Sequence, residues 1–148
     1  MRYLCIDLGD KRTGIAAGDS ITRIAAPVGV IELPISERAG EALIEAVLRA
    51  VNDQVSPHAR ATIVFGLPLN MDGTEGPRAR HVRTFATRLA ERLGPDRPVL
   101  FHDERLSSAD ADWQMAGSEL THKQKKLRRD ALAAAAILRD YLASLPGA

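Results

Sequence analysis

Asp7 is the one carboxylate in an otherwise apolar run, Tyr3-Leu4-Cys5-Ile6-Asp7-Leu8, and a carboxylate buried there ionised and unpaired is costly. It can cap the turn Gly9-Asp10-Lys11-Arg12 through backbone amides, but two further acid positions weaken that account. Asp103 and Glu104 follow a strand expected over 99–102, and Asp130 opens the apolar part of the last helix. Adjacent residues on a strand face opposite ways, so at most one of Asp103 and Glu104 can share a site with Asp7, and spacing does not choose between them. His102 has no second His or Cys at ligand spacing, which argues against zinc. Carboxylates without thiols are hard oxygen donors suited to Mg2+ or Mn2+. Such a cluster suits phosphodiester hydrolysis, in which two ions about 4 Å apart activate water and neutralise the leaving oxygen.

Basic residues gather beside these acids. Lys11 and Arg12 follow Asp7, while Arg78, Arg80, His81 and Arg83 open an expected second helix. Lys123, Lys125, Lys126, Arg128 and Arg129 precede Asp130. Each group alone is an ordinary solvated face; their shared position near acids or a Gly-rich loop fits phosphate positioning. The loop from Gly66 to Thr74 lacks the Lys-Ser/Thr ending of a P-loop and reads as a substrate loop. Only 4% of residues are aromatic, so base stacking is limited and backbone or shape recognition is favoured. Trp113, the single Trp, reads as core packing.

The elements that must hold these groups follow from pattern. Residues 3–8, 13–18 and 24–33 read as three strands in an antiparallel meander, with Pro27 placing the third at an edge or a bulge. From Ser36, apolar residues at 39, 42, 43, 46, 47, 50 and 51 predict an amphipathic helix. A strand over 61–65 is closed by Gly66 and Pro68. Pro77 suits the first position of a helix with Val82, Phe85, Ala86, Leu89 and Leu93 inward, which Gly94 and Pro95 end. After the strand at 99–102, a Ser at 107 or 108 can cap a helix through Trp113 and Met115. A last helix runs from near Thr121 to about Ala143. Strand–helix–strand alternation after the meander predicts a mixed sheet with helices on both faces.

With 148 residues, the chain is expected to form one domain over 1–148. Twenty Lys and Arg against nineteen Asp and Glu leave a net charge of +1, so any nucleic-acid site must arise from local clustering. The single Cys5 excludes an internal disulfide. The N-terminus lacks signal-peptide features and no stretch reaches a membrane span, which predicts a cytoplasmic protein with no membrane partner.

Four segments, in order, resemble the YqgF/RuvX family across essentially the whole chain. They are Asp7-Leu8-Gly9-Asp10-Lys11-Arg12-Thr13-Gly14-Ile15-Ala16, Gly66-Leu67-Pro68-Leu69-Asn70-Met71-Asp72-Gly73-Thr74, Asp103-Glu104-Arg105-Leu106-Ser107, and Asp130 before an Ala-rich helix. One departure is Ser107-Ser108, where the family often has Thr; the hydroxyl is kept. The resemblance implies an RNase H-like fold and a cytoplasmic nuclease that matures the 5′ end of pre-16S rRNA, also described as a Holliday-junction resolvase. It implies Asp7, Glu104 and Asp130 as the catalytic, metal-binding acids, which selects Glu104 over Asp103. Lys11, Arg12, Asn70, Arg78, Arg80, Arg105, Lys123, Lys126 and Arg129 are the expected nucleic-acid contacts. The expected partners are structured RNA, branched DNA or both, and a resolvase needs two active sites and so a symmetric homodimer. A non-catalytic RNA-binding module is the competing class. A sugar-kinase or actin-like ATPase, which also uses an Asp-x-Gly turn, needs two such domains and is too long for this chain.

Overall fold

In the computed structural model, which describes residues 1–105 and 121–147, the first apolar run forms β1 (Arg2–Asp7). Its period of two sends Leu4 and Ile6 into one core and Cys5 into another on the opposite face of the sheet. Asp7 leaves the sheet on the side of Cys5. β2 (Thr13–Asp19) pairs antiparallel with β1 and sets Gly14 directly opposite Asp7. β3 (Ala25–Ile31) pairs antiparallel with β2. β4 (Ala61–Leu67) lies parallel to β1 and β5 (Val99–Asp103) parallel to β4, giving the order β3-β2-β1-β4-β5. The expected mixed sheet is therefore present.

Pro27 sits where its missing N–H is tolerated. β3 is an edge strand, and the register passes from Ile15 opposite Gly29 to Ala16 opposite Pro27, so Val28 is the extra residue of a bulge. The first helix differs from expectation at its start. Arg38, Ala39 and Gly40 adopt left-handed φ values of 49°, 53° and 89° in a short 3-10 turn, so α1 (Glu41–Gln54) begins after Ala39. Its buried line is Leu43, Ile44, Val47 and Val51, rotated away from the alanines at 42, 46 and 50 because branched side chains gain more from burial. α2 (Pro77–Leu93) begins on Pro77 as expected and buries Ala79, Val82, Phe85, Ala86 and Leu89.

α1 and α2 cover one face, packing around Leu4, Ile6, Ile63 and Phe65. α3 (His122–Ser144) covers the other through Ala134, Ala135, Ile137, Leu138 and Leu142 against Cys5, Ala16 and Val64. A capping box fixes the start of α3: Gln124 N–H donates to the Thr121 hydroxyl, and Thr121 N–H donates to the Gln124 side chain. The serine cap at 107 or 108 and the helix expected around Trp113 and Met115 lie outside the described residues. Because β1, β4 and β5 are parallel, their carboxyl ends, with Asp7, Leu67 and Asp103, share one edge, the usual place for a ligand site in an open sheet. Among the described residues no helix is long and apolar enough to cross a membrane.

Candidate active site

At that edge Asp7 and Glu104 meet. Both line a cavity of about 220 Å³ with Pro68, Leu69, Arg105, Ala133 and Ile137. Glu104 follows β5, and its N–H donates to Leu67 O at 3.3 Å, an extra ladder bond that fixes the residue past the strand end. Its carboxyl then lies over Gly66: a Cβ there would stand 2.8 Å from Glu104 Oε2 and 2.8 Å from Ile137 Cδ1. The two carboxyls share a hydrogen bond. Withheld solvent first, then the negative charges of Glu104 and Asp130, push Asp7 up to about 7, against the opposing charge of Arg78. Glu104 is also raised, by burial, while its bond with Asp7 and the charge of Arg78 act to lower it. Each carboxyl thus favours its neutral form more than an exposed one would. Burial and the same two acids raise the Cys5 thiol well above its ordinary value, consistent with an inert core cysteine.

Asp130 approaches from above, on α3. The helix backbone comes so close at this point that a Cβ on Gly14 would stand 2.1 Å from Asp130 O. Its carboxylate, however, is turned to the β1–β2 turn, where Arg12 Nε donates to Asp130 Oδ2 at 2.7 Å. Among the described residues no three His, Cys, Asp or Glu side chains stand close enough together to hold one ion. The structure therefore unites two of the expected acids and brings up the third with its carboxylate otherwise engaged. The donor chemistry fits a hard divalent cation. Two half-buried carboxyls set against each other are held in a repulsion that a cation relieves, and every donor is oxygen.

The expected nucleic-acid contacts separate into groups. Arg12, Lys123 and Lys126 line one cleft of about 260 Å³ together with Glu32, His122 and Leu127. Arg78 lines another, of about 290 Å³, with Leu8, Gly9, Asp10 and His81, and its charge reaches both Asp7 and Glu104. Lys11, Arg80 and Arg129 are exposed. Arg105 is engaged within the protein: it forks onto Asp103 at 2.7 and 2.9 Å and donates to the carbonyls of Asn70 and Met71. Asn70 likewise donates to Thr74 Oγ1 inside its own loop. Both residues shape the loop over 68–76, which borders the acids. Asp103 is thereby committed to Arg105 rather than to Asp7. His102 pairs with Asp140 at 2.6 Å and packs on Tyr141, as a core-edge residue rather than a ligand.

Gly14 and Gly66 are the site residues that the pattern reading passed over. Glycine inside a strand is a recognised sign of close approach by another group; that sign was present at Gly14, whereas Gly66 was expected to close its strand and β4 instead runs through it to Leu67. Gly66→Ala presses only on the ends of two flexible side chains. It is expected to cost no more than about 1–2 kcal/mol of stability while displacing Glu104, so that any catalysis at this site falls at least about tenfold with the melting temperature changed by only a few degrees. Thermal melts and cleavage rates on the same preparation check this.

The family model that matches residues 1–144 is described as RuvX: Holliday junction resolvase. A protein named “Putative pre-16S rRNA nuclease” from Anaeromyxobacter sp. (strain Fw109-5) is 42% identical over 142 residues, covering 96% of each chain. One of the same name from Chloroflexus aurantiacus is 37% identical over 139 residues, covering 94% of this chain and 84% of its own. Among solved structures, fowlpox virus resolvase in complex with Holliday junction DNA superposes with a TM-score of 0.59 at 13% identity, over 99% of this chain and 100% of that one. RuvC from T. thermophilus with a Holliday junction substrate gives 0.52 at 18% identity, over 96% and 93%. These likenesses show the fold, a mixed five-stranded sheet of the RNase H-like kind.

Proposed function

Since this chain belongs to the RuvX family, we propose that it is a divalent-metal-dependent endonuclease that processes the 5′ end of pre-16S rRNA in the cytoplasm, with residues 1–148 as one nuclease domain. The observation that carries this reading is the hydrogen-bonded Asp7–Glu104 pair in a cavity at the carboxyl ends of the parallel strands, with Asp130 alongside. Asp7, Glu104 and Asp130 would hold Mg2+ or Mn2+. When bound, such an ion supplies Lewis acidity toward a phosphodiester and its attacking water. The protein's own part is positioning and charge. Arg78 balances negative charge beside the pair, and the cleft of Arg12, Lys123 and Lys126 takes neighbouring backbone phosphates. The loop over 68–76, clamped by Arg105, walls the cavity through Pro68 and Leu69. Lys11, Arg80 and Arg129 give further, weaker phosphate contacts from exposed positions.

The description of the family model favours a second substrate, a four-way DNA junction, whose paired cleavage would need two active sites and so a homodimer. Cleavage of a 16S leader RNA and of a four-way junction, each with Mg2+ and with Mn2+, separates the two, alongside the mass of the protein in solution. The expected result is cleavage of the leader by wild type and none by Glu104→Gln. Equal cleavage by both proteins defeats the assignment of the site. Binding of the leader without cleavage in either metal leaves a non-catalytic RNA-binding module in its place.

A further inference from the structure

The acids do not converge, and the reason lies in one arginine. The main chain of Asp130 is fixed by its contact with Gly14, so its carboxylate reaches the Asp7–Glu104 pair only by turning its side chain. Turning sacrifices the 2.7 Å charge-assisted bond from Arg12. Arg12 in turn has a second place to go. It is 37% exposed and also borders the cleft formed by His122, Lys123, Lys126, Leu127 and Glu32. Glu32 is the single acid of that lining, and it already faces Lys123 at 3.8 Å. A phosphate entering the cleft therefore offers the Arg12 guanidinium an anion with the same forked geometry as a carboxylate.

We propose that Arg12 is a positioning residue that holds the Asp130 carboxylate away from the Asp7–Glu104 pair until a backbone phosphate takes its guanidinium, so that the third acid is released by the substrate itself. This rests on the nuclease reading given above. Because one guanidinium serves two anions in exclusion, phosphate binding and cation binding at the acids are coupled, and the coupling is reciprocal. The protein then keeps its cation site weak when empty and tightens it when nucleic acid is in place.

Calorimetric titration of the full chain with Mn2+, without nucleic acid, tests this in wild type, Arg12→Gln, Asp130→Asn, the Arg12→Gln/Asp130→Asn double variant and Asp7→Asn. Arg12→Gln is expected to tighten Mn2+ about tenfold, the scale of one charge-assisted hydrogen bond, and to have no effect once Asp130 is Asn. Adding an all-oxygen duplex RNA, with the RNA's own uptake of Mn2+ subtracted and its integrity checked after the titration, is expected to tighten Mn2+ in wild type and not in Arg12→Gln. Equal tightening by Arg12→Gln in both backgrounds means that removing a positive charge acts through the field alone, and overturns the proposal. So does an Arg12→Gln affinity equal to wild type. The two readings fail differently: Mn2+ binding that Asp7→Asn abolishes but Arg12→Gln leaves unchanged defeats only the role of Arg12. Absence of Mn2+ binding in every variant defeats the metal site as well.

Discussion

Replacing Asp7 with Asn is expected to abolish cleavage and, in the absence of metal, to make the protein more stable at neutral pH. The two effects have one cause. Asp7 sits where burial and the charges of Glu104 and Asp130 oppose its ionisation, raising it from an ordinary 3.8 to about 7. A carboxyl raised on folding contributes stability that is complete below its unfolded pKa and lost as the pH climbs through the folded one. Between about pH 4 and 7 the folded wild type therefore loses stability, relative to the unfolded chain, through this group. Asn carries no charge to lose, and its amide can donate to Glu104 across the hydrogen bond that joins the two side chains. The variant and wild type should melt together near pH 4 and diverge as pH rises, with Asn ahead by about 2–4 kcal/mol at pH 8. Added Mn2+ should reverse the order, since a ligand that binds only the folded state stabilises the protein that can hold it. Cleavage should fall by at least two to three orders of magnitude, the scale of one lost electrostatic contact to the transition state. Melting curves across pH, with and without Mn2+, and single-turnover cleavage of the leader RNA are the measurements. A wild type as stable as the Asn variant at pH 8 would mean that Asp7 is satisfied without a cation.

Parts of this arrangement were legible in the residues and parts were not. The strands follow from apolar runs, and Pro27 marks its strand as an edge because a missing donor has few places in a sheet. Asp7 is legible for the same reason in reverse: a carboxylate inside an apolar run needs a partner. Asp103 and Glu104 could not be ordered by spacing, because the choice depends on where the ladder stops. β5 ends at Asp103, whose carboxylate turns to Arg105, while Glu104 crosses over Gly66. The intramolecular bonds of Arg105 and Asn70 were not legible either, since a guanidinium that clamps a loop and one that awaits a phosphate look alike in sequence. The start of α1 was obscured because Ala39 keeps helical spacing while its backbone is left-handed. Arg12 and Asp130 are 118 residues apart, and no pattern of neighbours links them. Only the packing of α3 on the meander does.

That packing makes Gly14→Ala the most damaging small substitution at the site. At Gly66 an added methyl meets the movable ends of two side chains; at Gly14 it would meet α3's main chain, 2.1 Å from Asp130 O and 2.7 Å from its carbonyl carbon. A helix cannot yield at one carbonyl. The segment that must shift is held by Ala131, Ala134, Ala135, Leu138 and Leu142, all buried against the sheet, so relief at Gly14 opens space along the same face. Overpacking of this kind costs about 3 kcal/mol, which lowers the melting temperature by roughly 10 °C in a domain of this size. The shift also carries Asp130 away from Asp7, so cleavage and Mn2+ affinity should fall further than stability explains, and lowering the temperature should restore folding without restoring either. Gly29→Ala supplies the control, because nothing lies within 4 Å of the added methyl on the edge strand, and its melting temperature and cleavage rate should match wild type. If Gly14→Ala instead recovers full cleavage whenever it is folded, the close approach of α3 supports the fold alone and Asp130 need not be held at its observed depth over β2.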